Sequence, residues 1–360
     1  MLRVGRCVDR RGQAGRKYMK LAKVALAACA ASAMVLSGCS SSGTTAESSA
    51  APASAAPASA EPAAGGDAPM AENADMKLCM YTHGDGGGFW SVAKKGAEKA
   101  AADLGITLDY QESNNDPEAQ AQMIEAGVSA GCMGIAVSAP NPDAIKDALA
   151  KAEEAGIPII TMNSGSKVFT ELGAFTHVGQ DEFVAGQGAG LKFKELGATK
   201  VLCPVHEQSN IGLQERCDGL KDTFGNVENL QVSGLADLAK TQAEIQAKLE
   251  ADPSIDGIFA LNADIATGSA LPAAEGAGRT IPIGTVDLSG DAVQAVKDGK
   301  LAFAIDQQQF AQGYLPLVLL YLNSLNGHVL GGGLPIATGP GFVTAENADL
   351  VQKLAAAGTR

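Results

Sequence analysis

From Met76 onward the chain repeats one pattern: a short apolar run, a turn, then a longer segment of helical character. No other feature restricts its fold so tightly. Candidate strands fall at 77–82, 106–111, 133–138, 157–162 and 175–179, then at 200–205, 229–233, 256–261, 281–286 and 301–306. Helices are expected between most of them. Ala144-Ile145, Ala148-Leu149 and Ala152 recur at helical spacing and predict one apolar face. Asn141 suits an N-cap with Pro142 behind it, and Ala155-Gly156-Ile157-Pro158 reads as a helix stop followed by a strand start. Asp252-Pro253 closes a helix that begins near Thr241. Strands alternating with helices imply an α/β fold with doubly wound parallel sheets. Ten strands exceed the usual single sheet, so two sheets are expected. The second run starts near Gln180. The two halves share an element order but no clear sequence identity.

The first unit carries the most distinctive chemistry. Met76 to Thr82 is a strand, and His83-Gly84-Asp85-Gly86-Gly87-Gly88-Phe89-Trp90 turns into the next helix. In open α/β sheets ligands sit beyond the carboxyl ends of the strands, where this turn falls. A dinucleotide cradle wants G-x-G-x-x-G, and here the third glycine position holds Phe89. Asp85 would also repel a phosphate. A neutral polar ligand fits better, with Phe89 and Trp90 on its C–H face and His83 or Asp85 on its hydroxyls. Packing of the helix onto the sheet is the competing role for Phe89 and Trp90.

Polar residues recur at the other strand ends. They are Asn163-Ser164-Gly165, Gln180-Asp181, Asn262-Ala263-Asp264, Asp287 and Asp306-Gln307-Gln308-Gln309. Asparagine and glutamine both donate and accept hydrogen bonds, which suits a ligand with many hydroxyls and no net charge. Asn262 or Asp287 alone could equally cap the following helix.

The residues before the first strand are of another kind. Arg16, Lys17, Lys20 and Lys23 precede an apolar run from Val24 to Leu36, too short to span a bilayer and suited to a secretory signal. Met19-Lys20-Leu21 makes a more usual signal start than Met1. Leu36-Ser37-Gly38-Cys39 resembles the lipobox of bacterial lipoproteins, which implies cleavage before Cys39 and a lipid on its sulfur. Residues 39–75 are rich in Ala, Ser, Pro and Gly, lack an apolar period, and read as a flexible tether of roughly 30–35 Å. Residues 1–38 hold eight of the 27 basic residues and one of the 40 acids, so the rest carries 19 against 39, net −20. That charge disfavours nucleic acid and anionic membrane surfaces as partners.

Beyond Cys39 the cysteines are Cys79, Cys132, Cys203 and Cys217, without C-x-x-C spacing. Cys203 lies in a strand and Cys217 in the next helix. In an oxidising compartment they are expected to form a disulfide, with buried free thiols as the alternative. His83, His177, His206 and His328 lack metal spacing, and no G-x-S-x-G elbow occurs. No enzymatic role, metal or cofactor is expected.

Taken together, several stretches resemble one family. They are Phe89-Trp90-Ser91-Val92, Pro158-Ile159-Ile160-Thr161-Met162-Asn163-Ser164, Val178-Gly179-Gln180-Asp181, Glu215-Arg216-Cys217-Asp218-Gly219, Phe259-Ala260-Leu261-Asn262, Val286-Asp287 and Ile305-Asp306-Gln307-Gln308. The region 76–344 resembles the periplasmic sugar-binding proteins of ABC transporters, in the ribose-binding class. The resemblance implies two Rossmann-like lobes, three hinge crossings near Gln180, Gln307 and Ala337, and a sugar held in the cleft. One lobe would comprise 76–179 with 308–336, the other 180–307 with 337–360. Phe89 and Trp90 would stack on the ring, with His83 beside them. Asn163, Arg216 or its neighbour Gln214, Asn262, Asp287 and Gln307 would take its hydroxyls. Gly86-Gly87-Gly88 and Asn163-Ser164 depart from the ribose binders, which often carry Asn and Pro, and Asp-Arg, at these places. The expected ligand is therefore a simple sugar or sugar alcohol. The expected partners are an ABC permease and, through the lipid on Cys39, the outer face of the cytoplasmic membrane (or the periplasm). A monomer is expected. The alternative is a lipoprotein that presents its ligand to a membrane sensor or chemoreceptor.

Overall fold

The computed structural model describes residue 73 and residues 75–360. The leader, Cys39 and nearly all of the tether lie outside the described residues. The chain begins with β1 (Lys77–Thr82), α1 (Gly88–Leu104), β2 (Thr107–Glu112), α2 (Pro117–Ser129), β3 (Ile135–Ser138), α3 (Pro142–Glu154), β4 (Ile159–Met162) and β5 (Thr176–Gly179). A second series follows: α4 (Glu182–Glu195), β6 (Val201–Val205), α5 (Ile211–Phe224), β7 (Val227–Gln231), α6 (Leu238–Ala251) and β8 (Gly257–Ala260). Then α7 (Ala263–Ile265) continues through a π-helical turn at Ala266–Ala270 into α8 (Leu271–Gly276). The chain ends with β9 (Ile283–Val286), α9 (Gly290–Lys297), β10 (Phe303–Asp306), α10 (Gln309–Asn326), β11 (Ile336–Ala337), β12 (Gly341–Val343) and α11 (Ala348–Ala356).

These elements build two lobes around two sheets, ordered β11-β5-β4-β3-β1-β2 and β12-β10-β9-β8-β6-β7. Every described pairing is parallel except β10 with β12. The chain changes sheet three times: after β5, after β10, and between β11 and β12. The ten expected strands all form, with ends shifted by at most two residues, as is usual for strand limits read from pattern. The short β11 and β12 were not foreseen.

Helices cover both faces of each sheet, which is why the central strands are apolar throughout. Along β1, Leu78 and Met80 join a cluster with Trp90, Leu317 and Leu320, while Cys79 and Tyr81 point oppositely to Ile124 and Ile145. The stripe on α3 forms as expected, with Ile145, Ala148, Leu149 and Ala152 buried. Its N-cap residue Asn141 makes no side-chain cap bond, unlike Asp116, which accepts from Glu118 N–H and Ala119 N–H ahead of α2. The helix expected near Thr241 starts earlier, at Leu238, because Asp237 caps it.

Disulfides link Cys79 to Cys132 in the first lobe and Cys203 to Cys217 in the second. Only the second pair was singled out in the sequence. Each lobe also holds one helix pair packed backbone to backbone. A Cβ on Gly96 would overlap the Phe310 carbonyl, and one on Gly313 that of Ala93, where α1 meets α10. Gly186 and Gly219 play the same part against Arg216 and Phe183, where α4 meets α5.

Candidate functional site

The carboxyl ends of the two sheets face each other across a cleft. The outer part is a vestibule of about 1100 Å³ and the inner part a chamber of about 40 Å³. The chamber is bounded from the first lobe by His83, Gly87, Gly88, Phe89, Trp90 and Asn163. The second lobe adds Arg216, Leu261, Asn262, Asp287 and Gln307, with Glu207, Asn210 and Leu213 at one side.

The first-lobe wall is mainly aromatic. Phe89 and Trp90 open α1, and their rings meet edge to face at 4.9 Å. Both belong to the core and both line the chamber, so the two roles read from the sequence coexist. His83 extends from β1 and meets Trp90 edge to face, with ring centroids 4.8 Å apart. The Ser138 hydroxyl fixes it, 2.7 Å from Nδ1 and accepting from the backbone N–H at 2.9 Å. Burial lowers the His83 pKa, with Arg216 adding to that and Glu207 and Asp85 opposing it. Asn163 leaves β4 at φ +60°, a conformation tolerated by few residues but glycine and asparagine. Its amide nitrogen donates to Gln312 at 3.3 Å.

The second-lobe wall is a connected polar network. Asp287 leaves β9 at φ +74° and accepts from the Asn262 and Gln307 amides. Burial raises its pKa to about 7, against the opposing charge of Arg216 and the Gln307 hydrogen bond. Arg216 donates to both oxygens of Glu182, at 2.6 and 3.0 Å, and to the Leu261 carbonyl at 2.9 Å. Burial works against the guanidinium charge, and Glu182, with Asp287 and Glu207 adding to it, more than restores it. Three of the five Arg216 N–H donors are thereby engaged. Asn262 serves twice, since its oxygen also caps α7 through Asp264 N–H at 2.8 Å.

Eight of the nine residues singled out in the sequence for ligand contact come together here. Gln214 does not, because it lies two positions before Arg216 on α5 and points elsewhere. The sequence reading missed Glu182, His206, Glu207 and Asn210. Three of these follow the end of β6, a strand end left out of the polar set. Burial alone would raise the Glu207 pKa, but His83, His206, the Asn210 hydrogen bond and Arg216 hold it below its ordinary value.

A twin-lobed α/β protein with aromatic and amide groups on opposite walls is a receptor geometry, and the sequence agrees. The profile of the periplasmic binding protein domain matches residues 78–327. The chain belongs to that family. Among solved structures, this binding protein resembles a carbohydrate transporter from Acidothermus cellulolyticus in complex with myo-inositol. The TM-score is 0.77 and the identity 39%, covering 79% of this chain and 99% of that one. A xylose/arabinose-binding protein of Sulfolobus acidocaldarius is 27% identical over 77% of this chain and 73% of its own length. A ribose import binding protein of Haemophilus influenzae is 30% identical over 64% of this chain and 79% of its own length.

Proposed function

We propose that this protein captures a neutral, polyhydroxylated ring (a monosaccharide or a cyclic polyol) by lobe closure and delivers it to an ABC permease. The observation that carries this reading is the charge balance of the chamber floor in the second lobe. Arg216 is neutralised by Glu182, and Asp287 has its pKa near neutrality among amide donors. Such a floor offers both donors and acceptors without a net charge to match. An anionic sugar would meet Asp85, Glu207 and Asp264 on its way in.

In this reading Phe89 and Trp90 cover the apolar face of the ring. His83, Asn163, Arg216, Asn262, Asp287 and Gln307 take its hydroxyls. In this reading the lobes part to admit the ring and close on it. The lobes are 76–179 with 308–336 and 180–307 with 337–360, turning about the three chain crossings. The resemblance of Leu36-Ser37-Gly38-Cys39 to a lipobox supports a position on the outer face of the cytoplasmic membrane (or in the periplasm), held by a lipid and the tether. The protein acts as a monomer, with no catalytic step.

Calorimetric titration with myo-inositol, D-ribose, D-xylose and L-arabinose tests the ligand class. At a hundred times its Kd a true ligand adds about 2.7 kcal/mol of stability, so the melting temperature should rise with it. If none of the four produces heat or a shift in melting, the reading fails. The anchor is tested separately: Cys39→Ser should leave the membrane fraction, and continued membrane association would remove the lipid.

A further inference from the structure

The loop between β6 and α5 meets the opposite lobe in a way that ligand contact does not require. The first N–H groups of a helix have no partner within it. At α5 these orphan donors are satisfied from two different lobes. Asn210 accepts from Gly212 N–H at 2.9 Å, the ordinary N-cap bond. Ile211 N–H instead donates across the cleft to the Pro140 carbonyl of the first lobe, at 3.0 Å.

Asn210 holds the rest of the junction. Its oxygen also accepts from the Ser164 hydroxyl of the first lobe at 3.3 Å. Its nitrogen donates to Glu207 at 2.6 Å and lies 3.5 Å from His83 Nε2. Glu207 in turn stands 3.8 Å from the same imidazole nitrogen. Asn210 is buried, with 5% of its surface exposed. Residue 210 therefore touches its own helix, its neighbouring acid and two side chains of the other lobe.

We propose that Asn210 and Glu207 are positioning residues that clasp the β6–α5 loop onto His83, Ser164 and Pro140, so that the first lobe completes the cap of α5 only when the lobes are closed. Opening leaves Ile211 N–H to water and exposes His83. All of its bonds are made between protein groups, so its strength sets how much of the empty protein is already closed. A binding site whose competent state is populated in advance loses less affinity to closure.

The junction also responds to protons. The groups around His83 are Glu207, Asp85, Arg216 and His206. In the clasped arrangement burial lowers the pKa of both His83 and His206. A lowered imidazole pKa means that the clasped state sheds a proton. The clasp is favoured above the ordinary imidazole value of ~6.5 and loosens as the pH falls through it.

Hydrogen exchange of the Ile211 amide in the ligand-free full-length protein reads the clasp directly. Asn210→Asp keeps an N-cap acceptor but removes the donor to Glu207 and sets two acids side by side. It should speed Ile211 exchange at pH 8 by about tenfold, with the rest of α5 unchanged. In the parent protein the same amide should lose protection between pH 8 and pH 5.5, after correction for intrinsic rates, and His83→Gln should flatten that dependence. Equal Ile211 exchange in the parent and Asn210→Asp proteins would overturn the proposal, as would a protection independent of pH. The proposal rests on hinge closure but not on the identity of the sugar. Titration of the same samples with myo-inositol at pH 8 separates the two: a failure to bind leaves the exchange result standing.

Discussion

The two lobes are the same scaffold carrying different chemistry. In each sheet six strands take equivalent places, so that β1 corresponds to β6, β4 to β9, and β5 to β10. The equivalence reaches the strand ends. β1 and β6 both run into a histidine, His83 and His206. β4 and β9 both end at a residue of positive φ, Asn163 and Asp287. β5 and β10 are both followed by a glutamine, Gln180 and Gln307. The backbone thus prescribes where the site residues stand and even one strained conformation, which collects at functional positions. What differs is how the side chains are held. The first lobe offers rings seated in its own core, with few polar bonds among them. The second offers a network already bonded to itself, from Glu182 through Arg216 and from Asp287 to Asn262 and Gln307. One wall is stable by burial of apolar area and the other by pairing of buried polar groups.

This contrast predicts unequal responses to small changes. Glu182→Gln is the most severe test, because it leaves the Arg216 guanidinium buried without its main counter-charge. Breaking a buried pair from one side costs about 3–5 kcal/mol, so urea unfolding of the ligand-free protein should shift by that amount. A loss below about 1 kcal/mol would mean that water or Asp287 takes over the role, and that the second wall is less interlocked than described. The corresponding change on the first wall is Trp90→Phe. It retains an aromatic face and should weaken binding only a few-fold, for a ring contact worth about 0.5–1.5 kcal/mol. Trp90 is the only tryptophan, so its emission in the parent protein should change as ligand enters. A hundredfold loss of affinity in Trp90→Phe would place the main grip on the first lobe and reverse the comparison.

The fold was largely legible because buried parallel strands are short apolar runs bounded by glycine and proline. The π-helical turn at Ala266–Ala270 left no such mark, and β11 and β12 are too short to show a period. At the site, the polar residues after most strand ends could be read, but His206 and Glu207 after β6 were passed over, and so was Glu182 inside a helix. Glu182 sits at the start of α4 and looks like any acid of a first turn. Its partner Arg216 is 34 positions away, a pairing that exists only after folding. Gln214 and Arg216 were left as alternatives in the sequence. Two residues apart on a helix cannot share a face, and the packing of α5 selects Arg216.

The glycine-mediated helix pairs bear on how motion is transmitted. α4 and α10 are the first helices after the chain leaves β5 and β10, and they lie backbone to backbone on α5 and α1, the helices that follow β6 and β1. Such a joint has no side-chain cushion to compress. If the lobes close as proposed, the bending falls on the few residues between them: 180–181, Gln308 with its φ of +56°, and 338–340. A stiff arm on a narrow pivot turns a small torsion at its base into a large excursion at its tip, and the tips here are the rims of the cleft.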